Sequence, residues 1–370
     1  MSASVRFGVV GTGWRAEFFV RLGALLPERL QLVGVVARRP ERAQVVAAAW
    51  RTTTYSSVAE LLEQAAPEFV ISSVPWAASP GVIEQLVAAG VAVLSETPPA
   101  PDRAGLAALW DQVGAGGRVQ VAEQYGLMPL HAARLTAVRQ GLIGTPTSVQ
   151  ISSTHQYHAM SLIRLFLGAG LGTPAEVRTS RFTAPLLDPI ARDGWSADPG
   201  PHPAGTTIAT VDFGPAGMGL YDFTDNQWHN RLRSRRLVVR GSHGEIVDDT
   251  LTRWAGPESI LRSPLLRRQS GYDLDLEGYD SESITLDGAR LWHNPFLGLR
   301  LSDEELAILT QLVAMAAWCR SEGPAPYPLV EACQDHALAL AVEESLVTGG
   351  PVGLEPGPWA SSPGSSPEPG

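Results

Sequence analysis

Near the start of the chain, Gly11-Thr12-Gly13-Trp14-Arg15-Ala16 has the glycine spacing that holds a phosphate against the backbone. Gly11 permits a tight turn, Gly13 lets an anion approach the main chain, and Ala16 allows the following helix to pack closely on the preceding strand. Such an anion meets the N–H groups that open the helix. Further on, Ala37-Arg38-Arg39-Pro40-Glu41-Arg42 follows an apolar run that ends without a carboxylate. An Asp or Glu at that point accepts hydrogen bonds from an adenosine ribose and repels a 2′-phosphate. Guanidiniums bind phosphate with their forks and stack on adenine. The expected ligand is a dinucleotide, NADP(H) in preference to NAD(H), with Arg38 and Arg42 at its phosphate. Arg39 serves that role or a solvated helix start equally well.

Histidines form the second chemical set. His158 has the ring to give or take a proton near neutral pH, and His155 stands beside it as a residue that orients substrate. Three positions apart, the two share a helical face if the helix begins that early. No carboxylate or third ligand accompanies them, so no metal is expected. Trp76, after Pro75, and Tyr125 both follow the ends of apolar runs; Trp76 is placed to wall a nicotinamide and Tyr125 to donate a hydroxyl. Ordinary packing accounts for His155, Tyr157 and Trp76 equally well. Trp228-His229 and Arg231, Arg233, Arg235 and Arg236 lie in a strand-rich stretch. Alternation of Arg231, Arg233 and Arg235 on one strand face reads as a solvated face before it reads as a pocket for an acidic substrate.

All 28 basic side chains are arginine. Without a lysine the chain has no Schiff-base chemistry, no Walker-type phosphate lysine and no lysine general acid. A bias toward arginine codons is the simplest cause.

The elements that must position these groups follow from periodicity. Val5–Val10 is a nearly continuous apolar strand that feeds the glycine loop and a helix to about Leu26. Leu30–Ala37, Phe69–Val74, Ala92–Ser95 and Arg118–Ala122 repeat the strand pattern, with helices between them at about 40–50, 57–64, 80–89 and 101–113. That alternation means a doubly wound parallel sheet. After residue 125 come a helix near 129–140, a strand at 147–153, a short helix at 162–167, and strands from about 175 to 291. Two helices, near 302–320 and 329–348, close an α+β domain on an antiparallel sheet. The expected division is 1–125 for the nucleotide, 126–354 for substrate and oligomerisation, and a disordered Pro/Gly/Ser-rich tail at 355–370.

Composition narrows the function classes. The net charge is −10, which argues against nucleic-acid binding as the main role. Residues 1–125 carry 10 Arg against 11 acids, near neutrality, which suits a domain holding an anionic ligand. Cys319 and Cys333 have no disulfide-framework or metal spacing and read as packed thiols. The sequence opens without a signal-peptide pattern and holds no apolar run long enough for a bilayer, so a cytoplasmic protein that avoids membranes is expected.

Over about residues 4–353 the chain resembles the Gfo/Idh/MocA oxidoreductases. The resemblance rests on the glycine fingerprint, Val74-Pro75, "LVAAGVAVLSETP", "VAEQYGLMP", "GLIGTPTSV" and "YPLVEACQDHALALAVEESLVTGGPV" in this order and spacing. It implies a Rossmann domain followed by an α/β domain with a large open antiparallel sheet. It also implies hydride transfer to or from small polar, sugar-like molecules, and a homodimer or homotetramer. Members usually read Glu-Lys-Pro where this chain has Glu96-Thr97-Pro98, so Glu96 and Thr97 fall near the nicotinamide while the usual catalytic lysine is a threonine. An Asp-x-x-x-His pair of the family aligns with Thr154 and His158, leaving His158 as acid/base. Reduction of an imine remains open, as do a nucleotide-binding regulator or scaffold without turnover, and a lyase or glycosidase with tightly held cofactor.

Overall fold

The computed structural model describes residues 4–114, 116–198, 200–271, 274 and 278–361. Its elements begin with β1 (Val5–Val10), α1 (Trp14–Gly23), β2 (Leu30–Val36), α2 (Pro40–Trp50), β3 (Thr54–Tyr55), α3 (Val58–Ala65), β4 (Phe69–Ser72), α4 (Ser79–Ala88), β5 (Ala92–Ser95), α5 (Arg103–Leu109) and β6 (Val119–Val121). They continue with α6 (Pro129–Arg139), β7 (Pro146–Ser152), α7 (Gln156–Leu167), β8 (Ala175–Leu187), β9 (Ile190–Ala191), β10 (Gly194–Trp195), β11 (Pro201–Asp212), β12 (Met218–Thr224) and β13 (Arg236–Gly241). The last are β14 (Gly244–Val247), β15 (Thr250–Gly256), β16 (Ser259–Pro264), β17 (Leu266–Ser270), β18 (Asp280–Leu286), β19 (Ala289–His293), α8 (Asp303–Cys319), α9 (Leu329–Thr348) and β20 (Val352–Leu354).

The first compact unit holds residues 1–129, 269–281 and 294–333. Its parallel sheet has the order β3-β2-β1-β4-β5-β6, with Phe7 opposite Phe69 and Phe69 opposite Ala92. The central strands are buried on both faces, as crossover helices require, and β4 and β5 are buried throughout. Phe7 and Phe69 stack at 5.6 Å between ring centres in the core. The chain passes from β1 to β4 beyond two intervening strands, so the order reverses beside β1, where doubly wound sheets bind ligands. Ser57, Asp102 and Ser302 each accept a first-turn N–H and start α3, α5 and α8, and Glu305 completes a capping box at α8.

The second unit holds residues 130–268, 282–293 and 334–370. Nine strands form one sheet in the order β16-β15-β14-β13-β7-β12-β11-β8-β20. It is antiparallel except for β7 against β12, where Met218 lies opposite Ser148. The alternating burial of β12 leaves one face covered and the other open, the pattern that separates this sheet from the buried parallel one. Helix α7 packs on β7 and β12 through a face that includes Met160, Ile163 and Phe166, and Gly168, at φ 70°, ends it.

Four expectations need correction. The division is not two consecutive blocks, because α8 and the first turn of α9 belong with the parallel sheet, tied to it by Gln311 Nε2 to Val121 O at 2.7 Å and Tyr327 N to Gln120 Oε1 at 2.9 Å. Order also extends past residue 354. Trp359 is buried and donates its indole N–H to Gln334 Oε1 at 2.8 Å, so 355–361 are fixed; the rest of the expected tail, 362–370, lies outside the described residues. Finally, α7 starts at Gln156, six residues before the expected start, and Arg231, Arg233 and Arg235 sit in an irregular loop, not on a strand face. Among the described residues no helix is long and apolar enough to cross a membrane.

Candidate functional site

In the first unit the strand ends β1, β4, β5 and β6 gather the nucleotide-site residues. Gly11 has φ 121°, and a Cβ there would lie 2.0 Å from Ser73 O, so only glycine fits between β1 and the end of β4. A Cβ on Gly13 would meet nothing within 4 Å, which leaves the turn open to a ligand. Gly13 is also the N-cap of α1 and brings no side chain to the helix N-terminus. Thr12 lies in the same turn, and its carbonyl accepts from Arg42 Nη2 at 2.6 Å, placing the first guanidinium of α2 at the glycine loop. Arg38 is exposed just past β2. Trp14 and Trp76 are both exposed, at 54% and 58%, with Trp76 directly after Pro75 beyond β4.

Arg15, inside the fingerprint, carries a charge network. Its Nε donates to Glu96 Oε1 at 2.8 Å and its Nη1 to Glu304 Oε1 at 2.7 Å. Burial opposes its charge, but Glu96 and Glu304 outweigh that and raise its pKa above the usual arginine range. Glu96 also accepts from Thr97 N at 3.1 Å, so Thr97 is held through its backbone by the carboxylate that clamps Arg15. Gln124 Nε2 reaches Glu304 Oε1 at 3.3 Å, and Tyr125 N donates to Glu123 Oε1 at 3.1 Å. Glu304 and Gln124 were beyond sequence reasoning: nothing local marks a carboxylate 289 residues from its arginine as its partner.

In the second unit β7 runs out at Ser152, and Ser153, Thr154 and His155 lead into α7. His155 is the N-cap, and its ring stacks on that of His158 at 5.3 Å and 20°. Trp228 stands edge-on to His155 at 4.7 Å and packs on Phe223 at 4.6 Å. The loop carrying Trp228 is fastened by buried Gln227, whose Nε2 donates to Ser152 O at 2.7 Å and Ser234 O at 2.9 Å. Tyr157 is buried, its ring 5.3 Å from His158 and 5.9 Å from His336. Thr154, at the aligned aspartate position, is fully buried, and its Oγ1 has no hydrogen-bond partner among the described residues. His158 and His155 therefore lie together in one unit, with Trp228 and Gln227 as companions. Tyr125 lies with the glycine loop residues in the other unit.

Among the described residues no three His, Cys, Asp or Glu side chains converge as a metal site. Cys319 and Cys333 form no disulfide with each other. Burial pushes the Cys319 thiol up to about 11, which removes it as a nucleophile near neutrality.

A doubly wound sheet with a glycine loop at its reversal point, joined to a unit with an open mixed sheet, defines a dinucleotide-binding protein of two-unit architecture. Residues 5–124 match the model of an oxidoreductase family with an NAD-binding Rossmann fold, Gfo/Idh/MocA. That stretch covers the parallel sheet and the glycine loop of the first unit. The whole chain shares its fold with an oxidoreductase from Agrobacterium radiobacter solved with NAD+, L-tartaric acid and magnesium, at TM-score 0.67 and 14% identity over 95% of this chain and 98% of that one. It is similar also to a myo-inositol dehydrogenase from Corynebacterium glutamicum, at TM-score 0.64 and 17% identity over 95% and 99% of the two chains. The WlbA dehydrogenase from Bordetella pertussis, solved with NADH and UDP-GlcNAcA, matches at TM-score 0.63 and 17% identity over 95% and 98%. Among curated proteins no sequence matches it.

Proposed function

We propose that this protein is an NADP(H)-preferring oxidoreductase, moving hydride to or from a small, sugar-like substrate at a C=O or C=N bond, with His158 as acid/base. The observation that carries the reading is the glycine loop itself. Gly11 cannot bear a Cβ, Gly13 opens outward, and Arg42 is seated on Thr12, so backbone and guanidinium together form a phosphate cradle. When bound, the nicotinamide cofactor supplies hydride chemistry.

The chain's own residues do the rest. Gly11, Thr12, Gly13 and the first turn of α1, with Trp14 and Arg15, receive the pyrophosphate, while Arg38 and Arg42 meet a 2′-phosphate. Pro75 and Trp76 offer a flat wall beyond β4. Glu96 holds Arg15 and the Thr97 backbone and so fixes the end of β5. Thr97 offers a hydroxyl that hydrogen-bonds but does not exchange a proton near neutral pH. The proton that accompanies hydride needs an acid–base side chain, and His158 is the residue assigned that role here. His155 and Trp228 orient the substrate beside it, and Tyr125 is a further hydroxyl donor.

The structures of similar fold that hold tartaric acid or UDP-GlcNAcA, and the inositol dehydrogenase, favour a small polyhydroxylated or acidic substrate. The exposed apolar side chains Phe182, Trp254 and Ile260 on the open sheet favour a homodimer or homotetramer. Absorbance of NADPH, followed against aldoses, ketoses, inosose-like rings and cyclic imines, should fall with at least one class. Tighter binding of NADH than NADPH in parallel titrations would overturn the cofactor assignment. NADPH binding with no oxidation by any class would leave a nucleotide-binding protein without turnover.

A further inference from the structure

The loop between β12 and β13 carries three arginines, 231, 233 and 235, with Arg236 opening β13 and Asp225 the one acid at its start. It is held in a defined shape. Gln227 Nε2 bridges Ser152 O and Ser234 O, which brings the peptide beside Arg233 against the end of β7, two residues from Thr154. Asn230 is buried and fastens the loop's other side to Leu187 O at 2.7 Å and Asp188 Oδ1 at 2.9 Å.

The arginines differ within this frame. Arg231, Arg235 and Arg236 are exposed, and Arg235 donates to Trp228 O at 2.7 Å. Arg233 is half-buried, and its Nη1 is shut from solvent without a hydrogen-bond partner among the described residues. The carboxylates around the loop are engaged elsewhere. Asp188 accepts from Asn226 and Asn230; Asp222 from Ser152 Oγ and from Gln150 Nε2 at 3.0 Å; Asp225 from Gly205 N and Arg181 Nη2, both at 2.9 Å. A guanidinium N–H closed off from water and without an acceptor is costly, and an anion is the partner that removes the cost most fully.

We propose that Arg233 is the anion-binding residue of the substrate site, selecting molecules that carry a carboxylate or phosphate beside the group that reacts. This rests on the reading that the His155–His158–Trp228 cluster receives substrate. It gives that site a charge preference that the histidines alone do not.

The test is calorimetric titration of the full chain, with excess NADP+ present to fill the nucleotide cradle, using inorganic phosphate in one arm and malonate in the other. Saturable binding in at least one arm is expected, and the stronger arm names the anion. Arg233→Gln should weaken it at least tenfold, Arg233→Lys should recover part of the loss, and Arg231→Gln should stay within twofold of the parent. No saturable binding in either arm, or equal losses in Arg233→Gln and Arg231→Gln, overturns the proposal. Its failure is separable from failure of the underlying reading. Arg233-dependent anion binding with turnover indifferent to His158→Ala leaves the subsite and removes the acid/base. Turnover lost in His158→Ala with no anion binding does the reverse.

Discussion

The two ends of sheet that carry the chemistry differ in how their polar groups are committed. At the end of β5 in the first unit, Arg15, Glu96, Glu304 and Thr97 N hold one another, and at the glycine loop Arg42 is steadied by one bond to Thr12 O. In the second, Thr154 Oγ1 and Ser153 Oγ, just past β7, and Arg233 Nη1, in the loop before β13, are buried without hydrogen-bond partners among the described residues; His155, next after Thr154, stacks on His158 and meets Trp228 edge-on. The first is a finished scaffold that offers a ligand mainly backbone and space. The second holds buried polar atoms that the described residues leave without a partner. On the proposed function, the cofactor cradle is completed in advance, whereas the substrate site keeps its donors in reserve.

The largest effect should come from breaking the finished scaffold. Gly11→Val places atoms on Ser73 O, and the NADPH dissociation constant, read by fluorescence titration, should rise by at least about 100-fold. Gln227→Leu tests the other end: it frees two carbonyls and the Trp228 loop, and KM should rise about tenfold, with kcat changed less and NADPH binding intact. Arg42→Ala sharpens the first region. NADPH affinity should fall about tenfold while NADH affinity moves less than twofold.

A smaller effect concerns stability. Burial, and then the charge of Arg134, push the pKa of His131 down to about 3. A histidine held neutral in the fold is protonated more readily when unfolded, so stability is full above about pH 6.5 and falls as pH drops below it. The slope from this group is up to about 1.4 kcal/mol per pH unit down to the folded pKa. His131→Gln should flatten the pH dependence of urea midpoints between pH 6.5 and 4.5, whatever its effect at neutral pH.

The nucleotide loop was legible because its constraints are local: a strand, a turn that excludes Cβ, and a helix follow one another within residues 5–23. The parallel sheet was legible for the same reason, through strand–helix alternation. What sequence hid was long-range. Glu304 closes the Arg15 network from a helix placed by pattern in the second domain, and Trp359 packs from a stretch whose Pro and Gly content reads as disorder. The early start of α7 was hidden because His155 supplies no side-chain cap, so no Ser, Thr, Asp or Asn announces the helix. The loop arginines alternate like a strand face, yet the turns that Asn226 and Asn230 build there win over the alternation. Thr97 carries the opposite kind of signal: an all-arginine composition predicts arginine where a lysine is replaced, so a threonine there is the mark expected of a change of chemistry, or of its loss.

The central claim is that the proton comes from the second unit while the first only holds the cofactor. It is tested most directly by comparing the parent and His158→Ala on one substrate from the panel, with NADPH binding measured on both. The account predicts unchanged NADPH affinity and a turnover loss of about 100-fold or more. Turnover within twofold of the parent would contradict it.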